Sequence, residues 1–251
     1  MNESENQLEG LLRGSCSRRK VYGRRATLII FIGSILLGGC AQVETRPDPL
    51  EPFNRQMFAF NDAVDRAILK PVAKGYVKVL PAPVRTGVSN VFSNLRTPTT
   101  IINQFLQGKP VEGLRDITRF LVNSTVGILG IFDVASRSGL EKDVEDFGQT
   151  LAVWGVPAGP YLVVPFFGPS GFRDGAGDIA GLYTYPPTYA DDEWVYALFA
   201  TDFIQQRAQL LDAEKLISGD RYLFIRDAYL QRREALVRDG EADESDPFLD
   251  D

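Results

Sequence analysis

The 251 residues contain two cysteines, Cys16 and Cys40, and no histidine. Without imidazole there is no Ser-His-Asp type of triad, no usual neutral-pH base and almost no common zinc site. Cys40 is the residue in a setting that suggests chemistry, because it ends the stretch Leu36-Leu37-Gly38-Gly39-Cys40. Leucine, two small residues and a cysteine make the pattern of a bacterial lipobox. A peptidase fits small residues just before its cut, and the thiol carries a thioether-linked diacylglyceryl group. The apolar run before it, Ala26 to Leu37, is 12 residues long, well short of the ~20 needed to span a bilayer. Arg18, Arg19, Lys20, Arg24 and Arg25 supply the positive flank of a secretory signal. Residues 1–39 are therefore expected to leave as a lipoprotein signal peptide, with Cys40 acylated as the first mature residue. Cys16 leaves with the leader, so no disulfide or thiolate cluster is expected.

Two carboxylate pairs are the other candidates for chemistry. Glu145 and Asp146 are adjacent, a spacing that usually means solvated acids. Asp174 and Asp178 flank Gly-Ala-Gly, which lacks the dense oxygen pattern of a calcium loop and reads as a turn before a capped helix. No nucleophile elbow, Walker loop or dinucleotide fingerprint occurs after the leader. The expectation is a protein that is not an enzyme, with no cofactor and no metal. The leader holds six of the 27 basic and three of the 33 acidic side chains, leaving 21 against 30 and a net charge of −9. That balance argues against nucleic acid as a partner.

The elements that carry these residues read as mostly helical. Residues 40–52 form a tether with three prolines, Pro47, Pro49 and Pro52. Phe53 to Leu69 is the clearest helix, with Phe53, Met57, Phe60, Val64 and Ile68 on one stripe. Pro71 is expected to stop it. Short helices are then expected from Pro71 to Leu80, Pro83 to Leu95, Thr97-Pro98 to Gly108, and Pro110 to Val122, each opened by its proline. Asn123 to Leu140 is an apolar loop punctuated by Gly127, Gly130 and Gly139. Loops normally run over the surface and are polar, so this one either packs inside or faces lipid. Glu141 to Gly168 reads as extended, proline-bent pieces. Asp191 to Leu211 and Asp220 to Val237 read as helices. The tail 239–251 has seven acidic residues in 13 and is expected to be disordered.

Several motifs together resemble the MlaA/VacJ lipoprotein family. They are Asp48-Pro49-Leu50-Glu51-Pro52-Phe53-Asn54-Arg55, Leu69-Lys70-Pro71-Val72, Leu106-Gln107-Gly108, Arg119-Phe120, Asn123-Ser124-Thr125 with Gly127, Gly130 with Asp133, and Glu145-Asp146-Phe147-Gly148-Gln149-Thr150-Leu151. The resemblance implies a mainly α fold for residues 53–238. Short amphipathic helices would form a ring around a central channel, with Pro/Gly-rich extended segments. It implies an outer-membrane lipoprotein, embedded in the inner leaflet and facing the periplasm. Such proteins remove stray glycerophospholipid from the outer leaflet and pass it to a soluble periplasmic carrier (MlaC-like), maintaining lipid asymmetry beside a trimeric porin. Asn123, Gly127, Gly130, Asp133 and Gly139 would border the channel in a movable hairpin. The stripe Phe53, Met57, Phe60, Val64 and Ile68 would face the membrane. The alternative is a structural lipoprotein that braces porins without moving lipid.

Overall fold

The computed structural model describes residues 48–239. The leader, Cys40, most of the tether and the tail after Asp239 lie outside the described residues. The fold is mainly helical. It starts earlier than the tether boundary suggests, since Asp48 is fully buried and α1 spans Glu51–Val64.

Proline corrects the sequence reading twice. A π turn, Asp65–Leu69, joins α1 to α2, Lys70–Val79. Pro71 therefore sits inside a continuous helical rod and does not end it. A π turn widens the backbone, which relieves the clash between a proline ring and the carbonyl one turn back. Next, α3 runs unbroken over Ala82–Leu106 with Pro98 inside it, where two helices were expected. Thr97 does not cap; its Oγ1 donates back to Ser93 O at 3.2 Å. One missing helical bond in a 25-residue helix is a local cost set against packing on three neighbouring helices.

Helix α4, Pro110–Thr125, is followed by the one-turn helix α5, Val134–Arg137. A helix that the sequence reading missed, α6, covers Phe147–Val153. Its signal was Asp146, whose carboxylate accepts from Gln149 N at 2.9 Å and caps the first turn. Strands β1, Tyr161–Val164, and β2, Gly168–Gly171, pair antiparallel. Helix α7, Phe172–Leu182, contains Asp174 and Asp178 instead of following them. It needs Gly177, because a Cβ there would lie 2.3 Å from Gly148 N in α6. Helices α8, Asp192–Gln209, and α9, Arg221–Val237, complete the chain, and Asp220 caps the latter by accepting from Tyr222 N at 2.9 Å.

The packing partners close a circuit. Helix α2 packs on α8, α8 on α3, α3 on α6, α6 on α7, α7 on β2, β2 on β1, and β1 on α1, which continues into α2. Helix α4 lies against α3, and α9 against α6 and β2.

Burial around this circuit is inverted. The buried residues of α4 are Gly113, Asp116, Arg119 and Asn123, while Val111 is 73% exposed and Leu114 and Leu121 are also exposed. In α3, Asn94, Thr100, Asn103 and Gln104 are buried, and Ile102, Phe105 and Leu106 are exposed. In α8 the buried residues are Asp202 and Gln205. A small apolar cluster of Tyr161, Val163 and Tyr222 packs where β1 meets α1 and α9. Phe92 of α3 and Tyr185 are also buried, but along α4 and the second half of α3 polar residues point in and apolar residues point out.

Candidate functional site

The inward polar faces enclose a lumen. One cavity, about 320 Å³, is bounded by α3, α4, α8 and α9; Asn94, Arg96, Asp116, Arg119, Lys142 and Arg232 are in its wall. A second, about 640 Å³, includes Gln104, Lys109, Glu145 and Gln149. The two share Lys142, Asp143, Val144 and Arg232. Several lining atoms, including Asn94 Oδ1, Gln104 Oε1 and Gln149 Oε1, have no protein partner. Buried polar groups cost free energy when unpaired, so water or a polar ligand is the natural complement of such a surface.

Most of the lumen's charges are held in pairs. Arg96 binds Asp202, which also accepts from Tyr185 Oη at 3.0 Å and Gln205 Nε2 at 2.9 Å. Arg115 binds Asp143, and Lys109 Nζ lies 3.1 Å from Glu145 and 2.6 Å from Asp239. Among the described residues, Asp116 has no cation paired with it and accepts only from Gln104 Nε2, at 3.5 Å. Burial, with the Asp143 charge nearby, pushes its carboxyl up to about 6.

The connection from α4 to α5 borders the first cavity, through Asn123, Gly130 and Asp133. Its base is a closed hydrogen-bond network. Asn123 Nδ2 donates to Asp133 Oδ1 at 3.0 Å, and Ala135 N donates to Asn123 Oδ1 at 2.9 Å. Asp133 also accepts from Ser136 N at 3.1 Å and Ser136 Oγ at 2.6 Å. The buried Arg119 guanidinium donates to Leu140 O and to Ser136 Oγ at 3.2 Å, and reaches Asp133 at 3.4 Å. Burial alone would raise the Asp133 carboxyl; the Ser136 and Asn123 hydrogen bonds and the Arg119 charge hold it below the usual range.

The tip has the opposite character. Val126, Ile128, Leu129, Ile131 and Phe132 are exposed, Leu129 at 72%. The apolar loop thus resolves both ways, with a packed base and an outward tip. Ile128, Leu129 and Gly130 adopt left-handed φ of 53°, 55° and 90°. For a β-branched residue that conformation is strained, by about 1–2 kcal/mol. Gly130 is needed twice over, since a Cβ would also lie 2.5 Å from Asn94 Cβ. Gly127 is needed for space, not for φ: a Cβ would lie 2.3 Å from Phe132 O. Gly139 stands apart from these residues and terminates α5, where Leu140 N donates to Ala135 O at 3.1 Å.

The α1 stripe is split. Phe53, Phe60 and Ile68 are exposed, Val64 is half-buried, and Met57 leans onto the Tyr161–Tyr222 cluster. Asn54 and Asn61, which lie off that stripe, hold β1. Sequence reading missed Lys142 and Arg232 as lumen residues. Neither belongs to a motif, and they are 90 positions apart.

The MlaA lipoprotein family model matches residues 46–236. The chain belongs to the MlaA lipoprotein family. It is 40% identical over 223 residues to "Intermembrane phospholipid transport system lipoprotein MlaA" of Escherichia coli (strain K12), covering 84% of this chain and 88% of that one. The protein of that name from Haemophilus influenzae is 33% identical over 241 residues, covering 90% and 96%. A solved structure described as "Structural basis for maintenance of bacterial outer membrane lipid asymmetry" superposes with a TM-score of 0.69 at 38% identity. It covers 76% of this chain and 100% of the solved one. The MlaA membership accords with the mainly helical fold.

Proposed function

We propose that this chain is a lipid-transfer conduit of the outer membrane. It takes glycerophospholipid that has strayed into the outer leaflet and passes it through the lumen to a soluble periplasmic carrier for return to the inner membrane. Cys40 anchors it, the outward apolar faces sit in the inner leaflet beside a trimeric porin, and the periplasmic face is open to the carrier. One observation carries the reading: helices such as α4 bury Asp116, Arg119 and Asn123 and expose Val111, Leu114 and Leu121. Outward apolar area that would be costly in water is favourable among acyl chains. Amphipathic helices rest in such an interface, and an enclosed polar path gives a headgroup a route past it. No helix among the described residues is long and apolar enough to cross a membrane. The names of the relatives support phospholipid as the cargo.

Deletion of the gene and restoration with the wild-type copy test this, with surface-exposed phospholipid as the readout. Accumulation on deletion and clearance on restoration are expected. Unchanged surface phospholipid, with porin assembly lost instead, would favour a brace over a conduit.

A further inference from the structure

We propose that Lys142 and Arg232 form a phosphate-binding station at the junction of the two lumen cavities, and that its ligand is the phosphodiester of a glycerophospholipid headgroup. The proposal rests on the conduit reading above.

Both residues belong to the small set that lines both cavities. A headgroup passing from one cavity to the other meets them. They also differ from the other lumen cations. Arg96, Arg115, Arg119 and Lys109 each have a carboxylate partner. Among the described residues, no hydrogen bond or ion pair is made by the Lys142 or Arg232 side chain. The contrast with Arg233 is sharpest. That next residue is bound to Asp146 at 2.5 Å and Asp174 at 2.9 Å, so one arginine is structural and its neighbour is left for the lumen.

The wall of the first cavity holds Arg96, Arg119, Lys142 and Arg232 against Asp116, Asp133 and Asp143. Partial desolvation, then the Arg96 and Arg119 charges, lower the pKa of the Lys142 ammonium, which stays exposed, and Asp133 opposes this only in part. The carboxylate in the shared wall, Asp143, is occupied by Arg115. An entering anion would relieve the imbalance. Arg presents a planar fork that suits phosphate oxygens, and Lys adds a mobile point charge. The phosphodiester is the anion common to glycerophospholipids with an esterified headgroup, whatever that headgroup is. Two accessible cations give modest affinity, which a transit site needs so that the lipid can leave.

The test uses the purified full chain in an uncharged detergent. Dihexanoyl phosphatidylglycerol, dihexanoylglycerol and inorganic phosphate are each titrated by calorimetry. The proteins are wild type, Lys142→Gln/Arg232→Gln and the charge-conserving Lys142→Arg/Arg232→Lys. Circular dichroism confirms that each variant is folded. Wild type is expected to bind the phospholipid about tenfold more tightly than the phosphate-free lipid. The Gln pair should lose about that factor for the phospholipid alone, and the swapped pair should recover most of it. Equal phospholipid binding by folded wild type and Gln pair overturns the station and leaves the conduit standing. Inorganic phosphate binding as tightly as the lipid makes the pair a free-anion site and overturns the lipid assignment. A wild type that binds neither lipid overturns the conduit and the station together.

Discussion

Asn54 supplies with its side chain what a neighbouring strand would supply to Val163 with its backbone. Val163 N donates to Asn54 Oδ1 at 2.9 Å, and Asn54 Nδ2 donates to Tyr161 O at 2.9 Å. Two turns along α1, Asn61 does the same, donating to Val164 O at 2.9 Å and accepting from Phe166 N at 2.7 Å. Asp48 locks the first amide by accepting from Asn54 Nδ2 at 3.1 Å, and it takes a further bond from Tyr222 Oη. A helix thereby closes the edge of a two-stranded sheet and joins α1 to the strands.

Asn54→Ala is expected to lower stability by about 2–4 kcal/mol, because it strands a buried N–H and a buried carbonyl and takes one donor from the Asp48 carboxylate. Chemical denaturation in detergent measures this. A loss below ~0.5 kcal/mol, the range of an ordinary surface substitution, would mean that the amide is not structural.

Ile68 is 58% exposed on the outer face of the π turn. Ile68→Asp should weaken membrane seating by a few kcal/mol while leaving the fold intact. Phe60→Asp should do the same with some added cost, since Phe60 meets Phe166 edge to face at 5.1 Å. Vesicle flotation and cellular abundance, measured together, separate seating from folding. Loss of abundance without loss of flotation would return this face to an ordinary core role.

The hairpin can be pinned at one place. A Cβ built on Gly87 of α3 lies 3.3 Å from Ile131 Cγ2, so cysteines at these two positions are the pair to crosslink. We expect Gly87→Cys/Ile131→Cys to stop lipid clearance when oxidised and to regain it when reduced, at constant protein level. Equal clearance in both states, with the crosslink verified by mass spectrometry, would show that the hairpin need not move.

Asp116 predicts a pH effect. Its folded pKa, about 6, lies above the ordinary 3.8. The folded state therefore binds the extra proton, and stability falls as pH rises between those values. Asp116→Asn should stabilise the protein at pH 8 by up to about 3 kcal/mol, with the gain vanishing below pH ~4, where Asp116 is protonated in both states. A difference independent of pH would point to altered packing instead of charge.

Cys40→Ser should leave an uncleaved precursor without a diacylglyceryl group. Intact-mass analysis of the membrane fraction reads this directly. A mature N-terminus elsewhere would displace the lipobox.

By itself the sequence determined what is local. Helical periodicity placed α1, α4, α8 and α9, and prolines marked several helix starts. The expected lipobox chemistry of Cys40 is equally local, since a peptidase reads such a pattern in an extended chain; Cys40→Ser tests it. The direction of the stripes was left to tertiary structure. A 3.6-residue repeat looks the same whether its apolar side meets a core or a bilayer. Only packing shows that Asp116, Arg119 and Asn123 point inward from α4. Pro71 and Pro98 follow the same logic: the local penalty is real, and non-local contacts overrule it. The lumen is the extreme case, because Lys142 and Arg232 share a wall only after α9 has come back against α6.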